Sequence, residues 1–114
     1  MDEPRVEQPL YVAKAQLFRS LSHPVRIRVL ELLVEGERPV SELRDAVGVE
    51  ASSLSQHLNV LKHSGLVASR RRANVVTYRI TDHSVAEFLA TARRVMAATM
   101  GHTRSTLEHL ESQQ

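Results

Sequence analysis

The stretch Ala51-Ser52-Ser53-Leu54-Ser55-Gln56-His57-Leu58-Asn59-Val60-Leu61-Lys62-His63-Ser64-Gly65 decides how this chain is read. Leu54, Leu58 and Leu61 recur at helical spacing while Ser, Gln and His fill the opposite face, which predicts an amphipathic helix with a short, hydrogen-bonding outer surface. Gly65 is its natural C-terminal stop. The helix opens a run, Ala51 to Thr81, that carries five positive side chains (Lys62, Arg70, Arg71, Arg72, Arg79) and no Asp or Glu. Residues 1 to 50 hold seven basic and nine acidic side chains, and residues 82 to 114 hold three and four, so a formal net charge of +2 conceals a local +5. A charge run by itself is commonly a solvated face. A run built around a helix whose polar face lacks carboxylates suits a polyanion, since such side chains approach base edges and phosphates without repulsion.

Downstream, Leu66 to Arg72 and Val75 to Ile80 read as two β-rich runs joined through Ala73-Asn74, a hairpin in which Asn supplies the positive φ of a tight turn. Its arginines cluster beside the turn, where they can straddle a DNA backbone or enter a minor groove. Upstream, Ser22 or His23 caps a helix whose first turn takes Pro24, and Val25, Val29, Leu30, Leu32 and Leu33 form its apolar face up to Gly36. A short helix from about Ser41 to Val47, closed by Gly48, precedes the helix at Ala51. Two short helices around a glycine turn, followed at once by a basic hairpin, are the order of a winged helix-turn-helix, with the second helix as the reader of DNA. The expected fold is therefore mainly α with a small β-hairpin.

Both ends carry apolar stripes suited to assembly. From about Leu10 to Leu21 a helix presents Ala13, Leu17, Phe18 and Leu21; from Ser84 to about Leu110 another presents Val85, Phe88, Leu89, Ala92, Val95, Met96, Thr99, Thr103, Thr106, Leu107 and Leu110, interrupted at Gly101. The second stripe exceeds what a small core can cover, which points to pairing with a second subunit. The expected interface residues are Leu17, Phe18, Phe88, Leu89, Ala92, Val95, Met96 and Thr99.

A length of 114 residues predicts one domain, spanning 10–110, with a flexible arm at 1–9 and a frayed tail at 111–114. The absence of cysteine excludes disulfides and thiolate metal sites. No apolar run approaches membrane-spanning length, and Met1-Asp2-Glu3-Pro4 lacks the order of a signal peptide, so a cytoplasmic protein is expected. No phosphate-binding glycine loop, Gly-x-Ser-x-Gly or His-Glu-x-x-His pattern or cysteine nucleophile is present, which argues against an enzyme.

Leu21-Ser22-His23-Pro24-Val25-Arg26, Val40-Ser41-Glu42-Leu43, Leu54-Ser55-Gln56-His57-Leu58 with Leu61 and Gly65-Leu66-Val67, then Arg70-Arg71 and Val76-Thr77-Tyr78-Arg79-Ile80-Thr81-Asp82 together resemble the ArsR/SmtB family of bacterial transcriptional regulators. The match runs from about Leu10 to about Thr99, and the order and spacing of its words are more specific than any one of them. The resemblance implies a homodimeric winged helix, paired through its first and last helices, that represses a promoter until an inducer lowers its affinity for double-stranded DNA. It implies DNA contacts at Ser52, Ser53, Ser55, Gln56 and His57, with Arg72 and Asn74 at the wing tip and Lys62, Arg70 and Arg71 as further phosphate or minor-groove charge. His57 has an alternative role as a structural hydrogen-bonding residue. Two departures stand at the start of the reading helix: Glu50 where a small polar cap is usual, and Ala51 where Gln is.

The family's metal sites are also altered. Pro39, Ser41 and Arg44 stand where the cysteine site would be, and Asp82, Ser84, Val95 and Ala98 where the last-helix site would be, so only the Asp remains. His83, His102 and His109 are the leftover imidazole candidates, the last two seven residues apart on one helix face with Glu108 and Glu111 nearby, a set that suits nickel or zinc. Histidines on a polar helix are more commonly just solvated. No cofactor is expected. Three functions stay open: a repressor answering a small molecule, a protein or its own abundance; a histidine-based metal-responsive regulator; and a protein-interaction module, against which the acid-free run argues.

Overall fold

A computed structural model describes residues 8–100 and 109–111. Its elements are α1 (Leu10–Leu21), α2 (Pro24–Val34), β1 (Arg38–Pro39), α3 (Val40–Val47), α4 (Ala51–His63), β2 (Val67–Arg72), β3 (Val75–Ile80) and α5 (Ser84–Thr99). The chain divides after Thr81 into two compact units, the first holding α1 to β3 and the second α5.

Each element of the first unit starts and stops for a local reason. His23 caps α2: its Nδ1 accepts the Val25 N–H at 3.1 Å, and Pro24 occupies the first turn, where a missing N–H costs nothing. Gly48 ends α3 at φ 76°, ψ 32°, donating its N–H to Arg44 O at 2.8 Å, a left-handed closure that side chains resist. Gly65, at φ 81°, lets the Leu66 N–H reach back to Leu61 O at 3.0 Å and turns the chain from α4 into β2. Val29, Leu30 and Leu33 of α2, Leu43 of α3, and Leu54, Leu58 and Leu61 of α4 are almost fully buried, joined by Val67 and Tyr78 of the sheet. Each buried side chain of this size contributes about 1.5–3 kcal/mol, which fixes α4 against α2 along one face and leaves the other to solvent.

The wing differs from its expected form in three ways. It is a three-stranded antiparallel sheet, order β1-β3-β2, because Arg38 and Pro39 pair with Tyr78 and Thr77. The hairpin strand begins at Val67 rather than Leu66, and α3 begins one residue early, at Val40. The positive φ of the turn lies on Ala73 (56°), and Asn74 has none. A positive φ confined to the first central residue is the sign pattern of a type II′ turn, where Gly is preferred, rather than the type I′ turn that Asn favours. Holding Ala there costs about 1 kcal/mol. Ala73→Gly is therefore expected to raise stability by a few tenths to about 1 kcal/mol after the added freedom of the unfolded chain is subtracted. A higher urea midpoint at unchanged m would report it.

In the second unit, Asp82 Oδ2 accepts the Ser84 N–H at 2.9 Å at the start of α5. Every residue from Ala90 to Met100 is exposed, including Val95 (52%), Met96 (38%) and Met100 (47%). The helix expected to run to about Leu110 is described only to Thr99, with helical residues again at 109–111; Thr103, Thr106, Leu107 and His102 lie outside the described residues, as do 1–7 of the expected arm and 112–114 of the tail. Glu111 is helical and pairs with Arg93.

Candidate nucleic-acid interface

With Leu54, Leu58 and Leu61 committed to the core, α4 exposes Ser52, Ser55, Gln56 and Asn59, an i, i+3, i+4, i+7 set along one face. Asn59 was not among the residues expected to touch DNA, although its spacing from Gln56 carried the signal. Serine, glutamine and asparagine hydroxyls and amides both donate and accept, so the face can match base edges. Ser53 is half-buried. Glu50, exposed, forms the N-terminal boundary of α4 without a side-chain capping bond; its charge suits the helix dipole and opposes phosphate.

His57 turns away from this face. Its Nδ1 lies 3.3 Å from Arg26 Nη1, and its ring centroid lies 4.1 Å from that of His23, tilted by 41°. Partial burial, then the neighbouring His23 and Arg26, push its pKa below the ordinary histidine value. The structural reading of His57 is the one this geometry supports.

Beside α4 stands the wing. The register Val67↔Ile80, Ser69↔Tyr78, Arg71↔Val76 groups Arg71 with buried Val67 and Tyr78, on the side where Lys62 Nζ of α4 donates to Ser69 Oγ at 2.8 Å. Ala68↔Arg79, Arg70↔Thr77 and Arg72↔Val75 make up the opposite side. Arg70 is held there by Glu37, Nη2 to Oε1 at 3.1 Å, so one of the five positive charges is locally compensated by a carboxylate from outside the acid-free run. Arg71, Arg72 and Asn74 are exposed around the tip. A groove of about 360 Å³ runs between the start of α4 and the wing, lined by Ala51, Ser55, Asn74, Val75 and Val76 among others. The structure thus brings Ser52, Ser55, Gln56, Lys62, Arg71, Arg72 and Asn74 to α4 and the adjoining wing, and ties Arg70 and His57 to other partners.

Of the imidazole candidates, His102 lies outside the described residues. His83 and His109 are exposed, and among the described residues no three His, Cys, Asp or Glu side chains are grouped to hold a metal. Asp82, the one residue kept from the last-helix site, is engaged by Ser84, whose side-chain and backbone hydrogen bonds hold the carboxyl below its usual range. No helix among the described residues is long and apolar enough to cross a membrane.

Residues 21–70 match a family model described as a helix-turn-helix domain. The chain is 48% identical over 106 residues to the uncharacterized HTH-type transcriptional regulator Rv0081 of Mycobacterium tuberculosis, covering 92% of this chain and 93% of that one. The crystal structure of Rv0081 superposes with a TM-score of 0.77 at 50% identity, covering 83% of this chain and 96% of its own. The HTH-type transcriptional repressor SmtB of the same species is 41% identical over 80 residues, 70% of this chain and 59% of the relative. The homodimeric winged helix-turn-helix DNA-binding domain Mb0332 of Mycobacterium bovis, a possible ArsR-family regulator, superposes with a TM-score of 0.73 at 30% identity, covering 86% of this chain and 95% of its own. A helix-turn-helix with a basic wing, shared with relatives of this similarity and extent, makes the chain a member of the ArsR/SmtB family of winged helix-turn-helix transcriptional regulators.

Proposed function

We propose that the protein is a homodimeric cytoplasmic repressor that reads an inverted-repeat operator through α4 and grips its backbone through the wing. The observation that carries this reading is one carboxylate-free helix face, Ser52, Ser55, Gln56 and Asn59, beside a wing whose exposed tip carries Arg71, Arg72 and Asn74, with Ser55 and Asn74 lining the groove between them. The amide of Gln56 suits a bidentate contact to a base, adenine in particular; Ser52, Ser53 and Ser55 serve bases or phosphate, and Lys62, Arg71, Arg72 and Asn74 serve the backbone or minor groove. Two copies of α4, one helical turn apart, need a dimer. Leu17 and Phe18 of α1 and Phe88, Leu89, Ala92, Val95, Met96 and Thr99 of α5 supply its apolar surface, a role supported by the exposure of Phe18, Val95 and Met96 and by the homodimeric state of Mb0332.

Gln56→Ala tests the reading helix. It should lower the preference for operator over scrambled DNA by about 1–3 kcal/mol for each base the shortened side chain can no longer reach, while leaving the salt dependence alone. Fluorescence anisotropy on both duplexes measures it, and an unchanged preference would remove α4 as the reader.

A further inference from the structure

The cluster of His23, Arg26 and His57 lies outside the DNA-facing set and joins three helices. Arg26, on α2, donates from Nη1 to His57 Nδ1 of α4 at 3.3 Å and from Nη2 to the Arg19 carbonyl of α1 at 3.3 Å, while its Nε is buried without a hydrogen-bond partner. A guanidinium only donates, so His57 Nδ1 must be bare and its proton must sit on Nε2. The same holds for His23, whose Nδ1 accepts the Val25 N–H that caps α2. Two neighbouring imidazoles, 4.1 Å apart, are thus both required in the neutral form with Nδ1 as acceptor.

A proton on His57 Nδ1 converts an acceptor into a donor facing a donor and adds a cation next to Arg26. The charged and titratable groups acting on His57 are His23, which caps α2, and Arg26 on α2, itself held by the Arg19 carbonyl of α1; no carboxylate among the described residues acts on it. Nothing in the cluster therefore rewards protonation. His57 also follows Gln56 directly in α4. A DNA-reading set tolerates displacements of only about half an ångström, so loosening the His57 anchor acts on the reading face.

We propose that Arg26 and His57 are positioning residues for the recognition helix and that their contact is a proton-sensitive latch: protonation of His57 on acidification releases α4 and weakens operator binding. The inference rests on α4 being the reading helix. Its sign is diagnostic, because an exposed histidine that gains charge strengthens attraction to DNA on acidification, whereas the latch weakens binding. The depressed pKa of His57 agrees with this sign: the neutral form is complete above the ordinary value of about 6.5 and is lost as pH falls below it.

The test is anisotropy on the promoter duplex at fixed ionic strength, at about pH 7.5 and about pH 5.5, with circular dichroism at each pH. The wild type should bind at least about threefold more weakly at the lower pH with its helical signal retained. His57→Asn keeps an acceptor near the Nδ1 position that does not titrate, so its affinity ratio between the two pH values should approach one. A wild-type ratio near one, or an undiminished loss in His57→Asn, overturns the latch. Should His57→Asn fail to fold, the ¹⁵N shifts of His57 in the wild type decide: a bare Nδ1 at neutral pH supports the latch and a protonated Nδ1 overturns it. Gln56→Ala, measured alongside, separates the two readings. If it relaxes discrimination while the wild-type ratio is flat, the latch alone fails; if discrimination is untouched, the reading of α4 fails and the latch with it.

Discussion

Replacing Val95 and Met96 by glutamate should abolish dimerisation and reduce operator affinity by on the order of a hundredfold or more. Both side chains are exposed on α5, at 52% and 38%, within a segment where every residue from Ala90 to Met100 faces solvent. In the proposed dimer they lie in the apolar seam, where each glutamate would be desolvated against its symmetry mate, a cost of several kcal/mol per ion. In the monomer the same substitutions touch nothing buried, so the fold should persist. The affinity loss follows from linkage of two half-sites: a joined pair exceeds either half by about 10²–10⁴, and the separated monomer forfeits that factor. Sedimentation velocity measures the first effect and anisotropy the second. A variant that stays dimeric would move the interface away from α5. One that becomes monomeric yet binds with full affinity would remove the need for two reading helices.

The second large effect is expected in the wing. Arg71→Ala with Arg72→Ala should weaken binding to operator and scrambled DNA alike, on the order of a hundredfold near physiological salt, and flatten the slope of log K against log salt by roughly four per dimer, since each phosphate neutralised contributes about 0.9. Arg79→Ala should do much less. Arg79 pairs with Ala68 near the base of the hairpin, remote from the tip at Ala73 that Arg72, on the same sheet face, adjoins. Net charge alone would make the three arginines equivalent, so a salt series on the variants separates a placed contact from a diffuse field.

Much of this arrangement could be read from the chain because it rests on local rules. The spacing of Leu54, Leu58 and Leu61, the stop at Gly65, the closure at Gly48 and the Pro24 start are properties of a few consecutive residues, and α2, α3 and α4 each start within a residue of where those signals put them. What escaped depended on residues far apart in sequence. Arg38 and Pro39 show no strand periodicity and become β1 only because Tyr78 and Thr77 lie beside them. Glu37 cancels Arg70 across the fold, which a charge count along the chain cannot register. The partner of His57 is Arg26, thirty-one residues earlier, so the inward turn of that side chain had no local signature. Asn59 is a different case: its place on the exposed face followed from the same periodicity that identified Gln56. Composition points to Asn74 for the positive φ of the turn because it names the residue that tolerates a left-handed conformation, whereas the register of the strands decides which residue adopts it, and that residue is Ala73.

In the proposed function α4 and the wing together form a sequence-reading DNA surface. Its most direct test is anisotropy of the wild-type protein on the promoter duplex and on a scrambled duplex of equal length, each titrated with salt. Binding to the promoter should be at least about a thousandfold tighter than to the scrambled DNA, with affinity for both falling steeply as salt rises. Equal affinity for the two duplexes, or binding indifferent to salt, would contradict it.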